Sequence, residues 1–63
     1  MRIVEIKTCD GVFTIDAERI VMVGPTKTMP DGNVTVFVGL EGDKWVNSIM
    51  SRPTILKKIG WVK

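Results

Sequence analysis

Side chains able to do covalent or acid–base chemistry are scarce in this sequence. Histidine is absent, which removes the imidazole base of Ser–His and Cys–His pairs. Cys9 is the single cysteine; it can form no internal disulfide, and no base stands beside it in the chain to activate it. With one thiol and no imidazole, zinc-type ligand spacing is missing. Asp10, Asp16, Glu18, Glu41 and Asp43 fall at turns or at a helical cap, where carboxylates usually serve the backbone. The glycines come singly, so there is no glycine-rich phosphate loop. The expectation is a chain without a cofactor, a metal or a catalytic residue, and therefore not an enzyme.

Side chains suited to holding something are better represented. Trp45 and Trp61 both lie in the second half; an indole can fill a core, anchor an interface or stack on a base. Residues 1–32 carry four Lys/Arg and five Asp/Glu (net −1), and residues 33–63 carry five and two (net +3), which together make the overall +2. Lys44, Arg52, Lys57, Lys58 and Lys63 would form one positive face if the C-terminal segment lay beside the strand that holds Trp45. The candidate partner or ligand contacts are therefore Lys44, Trp45, Arg52, Lys57, Lys58 and Trp61. Met29, in a proline-containing stretch, adds an exposed apolar side chain.

Sixty-three residues allow one domain, residues 1–63. A chain of this size buries only about 60% of its unfolded surface, and disulfide or metal staples are absent here. A compact aliphatic core or self-association has to supply the stability. No apolar run approaches the roughly 20 residues of a membrane span, and no leader-like segment opens the chain. A cytoplasmic protein is expected.

The central element is the strand over Asn33–Leu40. Val34, Val36, Val38 and Leu40 share one side and Thr35 and Phe37 the other. Turn residues flank it at Asp31-Gly32 and at Glu41-Gly42-Asp43. Before it come a strand over Met1–Thr8 with Val4 and Ile6 on one face, a turn at Cys9-Asp10-Gly11, and a strand over Val12–Ile15. Asp16 can cap one helical turn over Ala17–Arg19. A third strand, Ile20–Val23, stops at Gly24-Pro25, and Pro25–Gly32 reads as a surface loop. After the central strand, Lys44–Met50 forms a fifth, with Trp45 and Ile49 expected to face a hydrophobic surface. Met22 and Met50 are expected in the core. Ser51 then caps a short helix over about Pro53–Ile59, whose stripe is Ile55, Leu56 and Ile59. Gly60 ends it, and Trp61 is expected to pin the end by burying its indole. The fold class is mainly β (α+β): a small five-stranded antiparallel meander or partly open barrel with one short C-terminal helix.

Phe13-Thr14-Ile15-Asp16-Ala17-Glu18-Arg19-Ile20, preceded by Asp10-Gly11, resembles the small flagellar-associated FlbD-like family and similar small phage and bacterial proteins. Chains of that kind open with a strand and an Asn/Asp-Gly turn. An aromatic strand, an Asn/Asp-Ala-Asp/Glu turn and further apolar strands follow, then a terminal Ile/Leu/Lys helix. The resemblance implies a fold and carries no catalytic residue with it. The functional expectation is a non-enzymatic protein-interaction module of bacterial or phage type, homo-oligomeric through exposed edges at strand five or strand one. Two alternatives stand beside it. One is nucleic-acid binding through the basic half. The other is a phage-encoded sponge or inhibitor that captures a small anionic ligand, such as a nucleotide, between subunits.

Overall fold

A computed structural model describes residues 2–62 of the chain. Met1, the expected first residue of strand one, and Lys63, part of the expected positive face, lie outside the described residues. Among the described residues five antiparallel strands form one open sheet, and one short helix follows them. The strands are β1 (Ile3–Thr8), β2 (Gly11–Asp16), β3 (Ile20–Thr28), β4 (Val34–Leu40) and β5 (Lys44–Ser48); the helix is α1 (Arg52–Lys58). The mainly β class and the terminal helix are as expected.

Strand order is β2-β1-β5-β4-β3. β1–β2 is a hairpin and β3–β4–β5 a three-stranded meander, and the two units join where Thr8 of β1 meets Ser48 of β5. Strands one and five were the expected free edges. By order they lie inside the sheet, with β2 and β3 at its edges; β1 and β5 share only the Thr8–Ser48 pair, however, so Lys44–Asn47 of β5 has no ladder partner on the β1 side.

Those two edges are consecutive in the chain, and that bends the sheet. In a flat sheet, four strand spacings of ~4.8 Å would hold the edges ~19 Å apart. The four residue steps from Asp16 to Ile20 reach at most ~14 Å. The sheet therefore curls, and a 3₁₀ turn over Ala17–Arg19 bridges its margins. Asp16 caps that turn by accepting from the Glu18 amide at 3.0 Å. The Ala17 amide donates to the Arg2 carbonyl at 2.6 Å and the Glu41 amide to the Arg19 carbonyl at 3.0 Å, which ties the turn to both halves.

The concave face holds the core: Val4, Ile6, Ala17, Ile20, Val23, Val36, Val38, Ile55 and Ile59. Alternation decides most of these positions. Val4 and Ile6 are buried while Ile3, Glu5 and Lys7 are exposed, and Val36 and Val38 are buried between half-buried Thr35 and Phe37. α1 is too short to persist alone and lies across this face. Its Arg52 Nε donates to the Gly24 carbonyl of β3 at 3.2 Å, and its Lys58 Nζ donates to the Glu5 carbonyl of β1 at 3.0 Å. Ser51 caps the start, accepting from the Thr54 amide at 3.4 Å. Pro53 stands in the first turn, and Gly60, at φ +82°, takes the left-handed position after the end.

Three local expectations are corrected. β3 does not stop at Val23 but runs to Thr28, with a register shift between Val23 and Thr26. Pro25 is tolerated because it sits at that bulge on an edge strand, where its missing N–H interrupts nothing. The connection is accordingly only residues 29–33, closed by Met29 N–H to Asn33 O at 2.7 Å and by Gly32 N–H to Met29 O at 2.9 Å. In β5 the inward residues are Val46 and Ser48; Trp45 and Ile49 are 57% and 51% exposed. Met22 is exposed as well, while Met50 packs against the core as expected.

Candidate functional site

The site is built from the hairpin that joins β4 to β5. Gly42 and Asp43 both take positive φ, +76° and +60°, and this tight connection sets Leu40 opposite Lys44. Two residues further along each strand the pairs are Val38 with Val46 on the core side. Gly39 with Trp45 and Phe37 with Asn47 take the opposite, convex side. Trp45 faces a glycine across the ladder, so its indole can lean toward Phe37 diagonally. The ring centroids are 5.8 Å apart with planes tilted by 34°, an ordinary attractive arrangement of aromatic rings.

Phe37 is seated by a second glycine. A Cβ added to Gly24 of β3 would stand 3.0 Å from Phe37 Cβ, and one added to Gly39 would stand 3.4 Å from Phe37 Cε1 and from Met22 Cβ. Two strand positions that carry no side chain thus leave room for one aromatic ring on the outside of the sheet. Beside it lies a half-open hollow of about 310 Å³ lined by Pro25, Lys27, Met29, Thr35, Phe37, Trp45 and Asn47. A second hollow of about 300 Å³ is lined by Thr8, Cys9, Asp10, Phe13, Trp45, Val46 and Asn47.

The six contacts expected from the sequence do not converge. Trp45 is on the convex face. Lys44 has the parity of Val46 and Ser48 and lies exposed at the hairpin rim. Arg52, Lys57, Lys58 and Trp61 belong to the helix and its exit, across the concave side of the sheet. Arg52 and Lys58 are each bonded to a main-chain carbonyl, so part of the basic half ties the helix down. Trp61 does not bury its indole: the residue is 48% exposed, and it is the Trp61 amide, bonded to the Leu56 carbonyl at 3.0 Å, that closes the helix. Arg2 does the pinning, its Nη1 donating to the Ile59 carbonyl at 2.9 Å.

Phe37, Lys27, Asn47, Phe13 and Asp10 line the hollows without being among the contacts expected from the sequence. A three-residue turn at Glu41-Gly42-Asp43 would have placed Gly39 opposite Trp45 and so exposed the Phe37–Trp45 pair. The juxtaposition of Lys27 and Met29 with that pair depends on β3 continuing past Pro25. Met29, expected to be exposed in a loop, is half-buried as one wall of the hollow.

No group of three His, Cys, Asp or Glu side chains able to hold a metal occurs among the described residues. No helix among them is long and apolar enough to cross a membrane. The chain matches no family model, no curated protein and no solved structure.

Proposed function

We propose that this chain is a non-enzymatic interaction module that works as a homo-oligomer. One observation carries the reading. The core consists of Val, Ile and Ala alone, and the four aromatic residues of the chain all lie outside it. Phe13, Trp45 and Trp61 are exposed and Phe37 is half-buried. Aromatic side chains contribute the most burial energy per residue and are the usual anchors of interfaces. A domain this small that leaves them on the surface keeps that energy for association. The likeness to FlbD-like chains is part of the proposal: the order of strand, Asp-Gly turn, strand, Asp-Ala-Glu turn, strands and terminal helix supports a shared fold.

The edge that would join two copies is β2. β3 is blunted by its bulge at Gly24-Pro25, a common protection against edge pairing. β2 has no such device: it pairs with β1 without a shift from Ile3↔Asp16 to Thr8↔Gly11, and it exposes Val12 and Phe13. Two β2 strands meeting antiparallel about a two-fold axis form a self-complementary contact. Light scattering coupled to gel filtration at high micromolar concentration should give a mass near twice 7.0 kDa. Val12→Glu should return the monomer, because its carboxylate is tolerated opposite Lys7 within one chain but replaces an apolar side chain on the edge that a second copy would cover. A stable monomer for the unaltered chain overturns the homo-oligomer.

A further inference from the structure

β5 outruns its neighbour. β1 ends at Thr8, opposite Ser48, and the chain then turns back through Cys9 and Asp10 into β2. Lys44–Asn47 is paired with β4 on one side and has no ladder partner on the other. One bond at the seam fixes the direction of its main chain: the Ile49 amide donates toward β1, to the Lys7 carbonyl at 3.0 Å. Main-chain groups alternate along an extended strand. The Asn47 N–H and the Trp45 N–H and C=O therefore point the same way, into the gap beyond Thr8. That gap is the hollow of about 300 Å³, with Trp45, Val46 and Asn47 on one wall and Cys9, Asp10 and Phe13 on the other. The far wall is braced, because Thr8 Oγ1 donates to the Gly11 carbonyl at 3.0 Å and accepts the Asp10 amide at 3.1 Å.

We propose that this gap takes an extended peptide segment of a partner protein as an added strand, antiparallel to β5. The segment carries a basic residue at its N-terminal end, a β-branched residue opposite Val46 and an acidic residue opposite Lys44. Strand addition supplies the hydrogen bonds that a free edge lacks, and the other pairs of this sheet are antiparallel. In that register the residue opposite Trp45 exchanges both main-chain bonds with it, and the residue opposite Asn47 accepts its amide. Residues opposite one another share a face, so the one opposite Val46 enters on the core side of the sheet. Val46 has the parity of buried Val38, and Phe13, opposite Ile6, has core parity too. Phe13 is nevertheless 43% exposed. The core is thus incomplete at this gap, and a β-branched side chain between Phe13 and Val46 would cover it.

Charge sets the order of the ends. Asp10, bonded to Thr8, stands at the Ser48 end of the gap and Lys44 at the other, so a segment that is basic first and acidic last complements both. A nucleic-acid strand would set phosphates against the Asp10 carboxylate. A second copy does not fit either. Its β2 or β3 edge brings a neighbouring strand ~4.8 Å behind it, where Cys9, Asp10 and Phe13 stand, and its β5 brings its own β1–β2 hairpin on the same side. The inference rests on the chain being a binding module and not on its self-association, which the light-scattering mass reports separately.

The probe is acetyl-Lys-Thr-Val-Thr-Glu-amide, titrated into the isotopically labelled full chain; its threonines fall opposite Asn47 and Trp45 and its valine opposite Val46. The Trp45 and Asn47 main-chain amides should shift and exchange roughly tenfold more slowly with solvent, while the Val46 amide, directed at β4, changes little. N-methylation of the second threonine removes the donor to the Trp45 carbonyl and should weaken binding about five- to tenfold. N-methylation of the valine, whose N–H points away from β5, should not. Phe13→Ala, with its fold verified by circular dichroism, should weaken binding about tenfold. A peptide with its lysine and glutamate exchanged should bind about fivefold more weakly. The double variant Asp10→Lys, Lys44→Glu should prefer that exchanged peptide, which a merely structural change at the hairpins would not produce. Unchanged exchange at Trp45 and Asn47 in millimolar peptide, equal losses from the two N-methylated peptides, or an unaltered preference in the double variant would each overturn the inference. So would the same protection from a ten-nucleotide oligothymidine, or protection present without peptide and lost on dilution, the mark of a second copy in the gap.

Discussion

The Ser48 hydroxyl donates to the Lys7 carbonyl at 2.8 Å, across the seam where the β1–β2 hairpin meets the β3–β4–β5 meander. The same oxygen accepts the Met50 amide at 3.0 Å, and the Ile49 amide reaches the Lys7 carbonyl at 3.0 Å. Ser48 is fully buried, so its two bonds are made away from competing water. Ser48→Ala leaves the Met50 amide without its partner and should cost about 1–3 kcal/mol. In urea unfolding the midpoint should fall while the slope stays unchanged.

Phe37 and Gly24 form the most restrictive contact on the convex face. Gly24→Ala puts a methyl 3.0 Å from Phe37 Cβ, and two strand-borne atoms cannot swing apart as a flexible chain end can. A loss of about 1–3 kcal/mol is expected, with a changed Trp45 emission spectrum as the ring pair is displaced. In the Phe37→Ala background the same change should cost much less, and a double-mutant cycle measures the difference.

At the other end of the molecule, Gly60 leaves space for Arg2. A Cβ there would stand 2.8 Å from both Arg2 Nη atoms, and the residue holds φ +82°. Gly60→Ala therefore strains the backbone and displaces the guanidinium from the Ile59 and Lys58 carbonyls, which it reaches at 2.9 and 3.5 Å. The expected cost is on the order of 1–2 kcal/mol. It should not add fully to that of Arg2→Ala in thermal melts, since both changes break one contact.

Ile55 is fully buried where α1 covers the sheet. Ile55→Ala should cost about 2–5 kcal/mol. That is comparable to the whole stability of a domain near the low end of the usual 5–15 kcal/mol. Loss of cooperative unfolding in circular dichroism is the expected outcome.

Much of this architecture is legible in local chemistry. Alternation marks Val4, Ile6, Val36 and Val38 as inward-facing, Asp16 and Ser51 cap their helical turns, and Gly60 ends α1. Each of these depends on a residue and its near neighbours, which a linear string displays in full. The candidate site is less legible in the sequence. Lys44, Trp45, Arg52, Lys57, Lys58 and Trp61 are close in sequence, yet the sheet separates Trp45 from the helix residues. Alternation alone does not decide which side of Lys44–Met50 is inward, because Trp45 and Val46 are both apolar; the ladder to β4 turns Val46 and Ser48 inward.

The sequence by itself determined which segments are strands, where most of them turn, and that the chain is poor in reactive groups. Propensity, side-chain alternation and turn preference act over a few residues and are complete in the string. Tertiary structure decided that β1 lies beside β5, that β3 continues through Pro25, and that Phe37 and Trp45 meet outside the sheet above two glycines. Those outcomes rest on pairings between distant residues. They were settled by a three-residue link too short to leave the sheet flat, and by the one concave face the helix could cover.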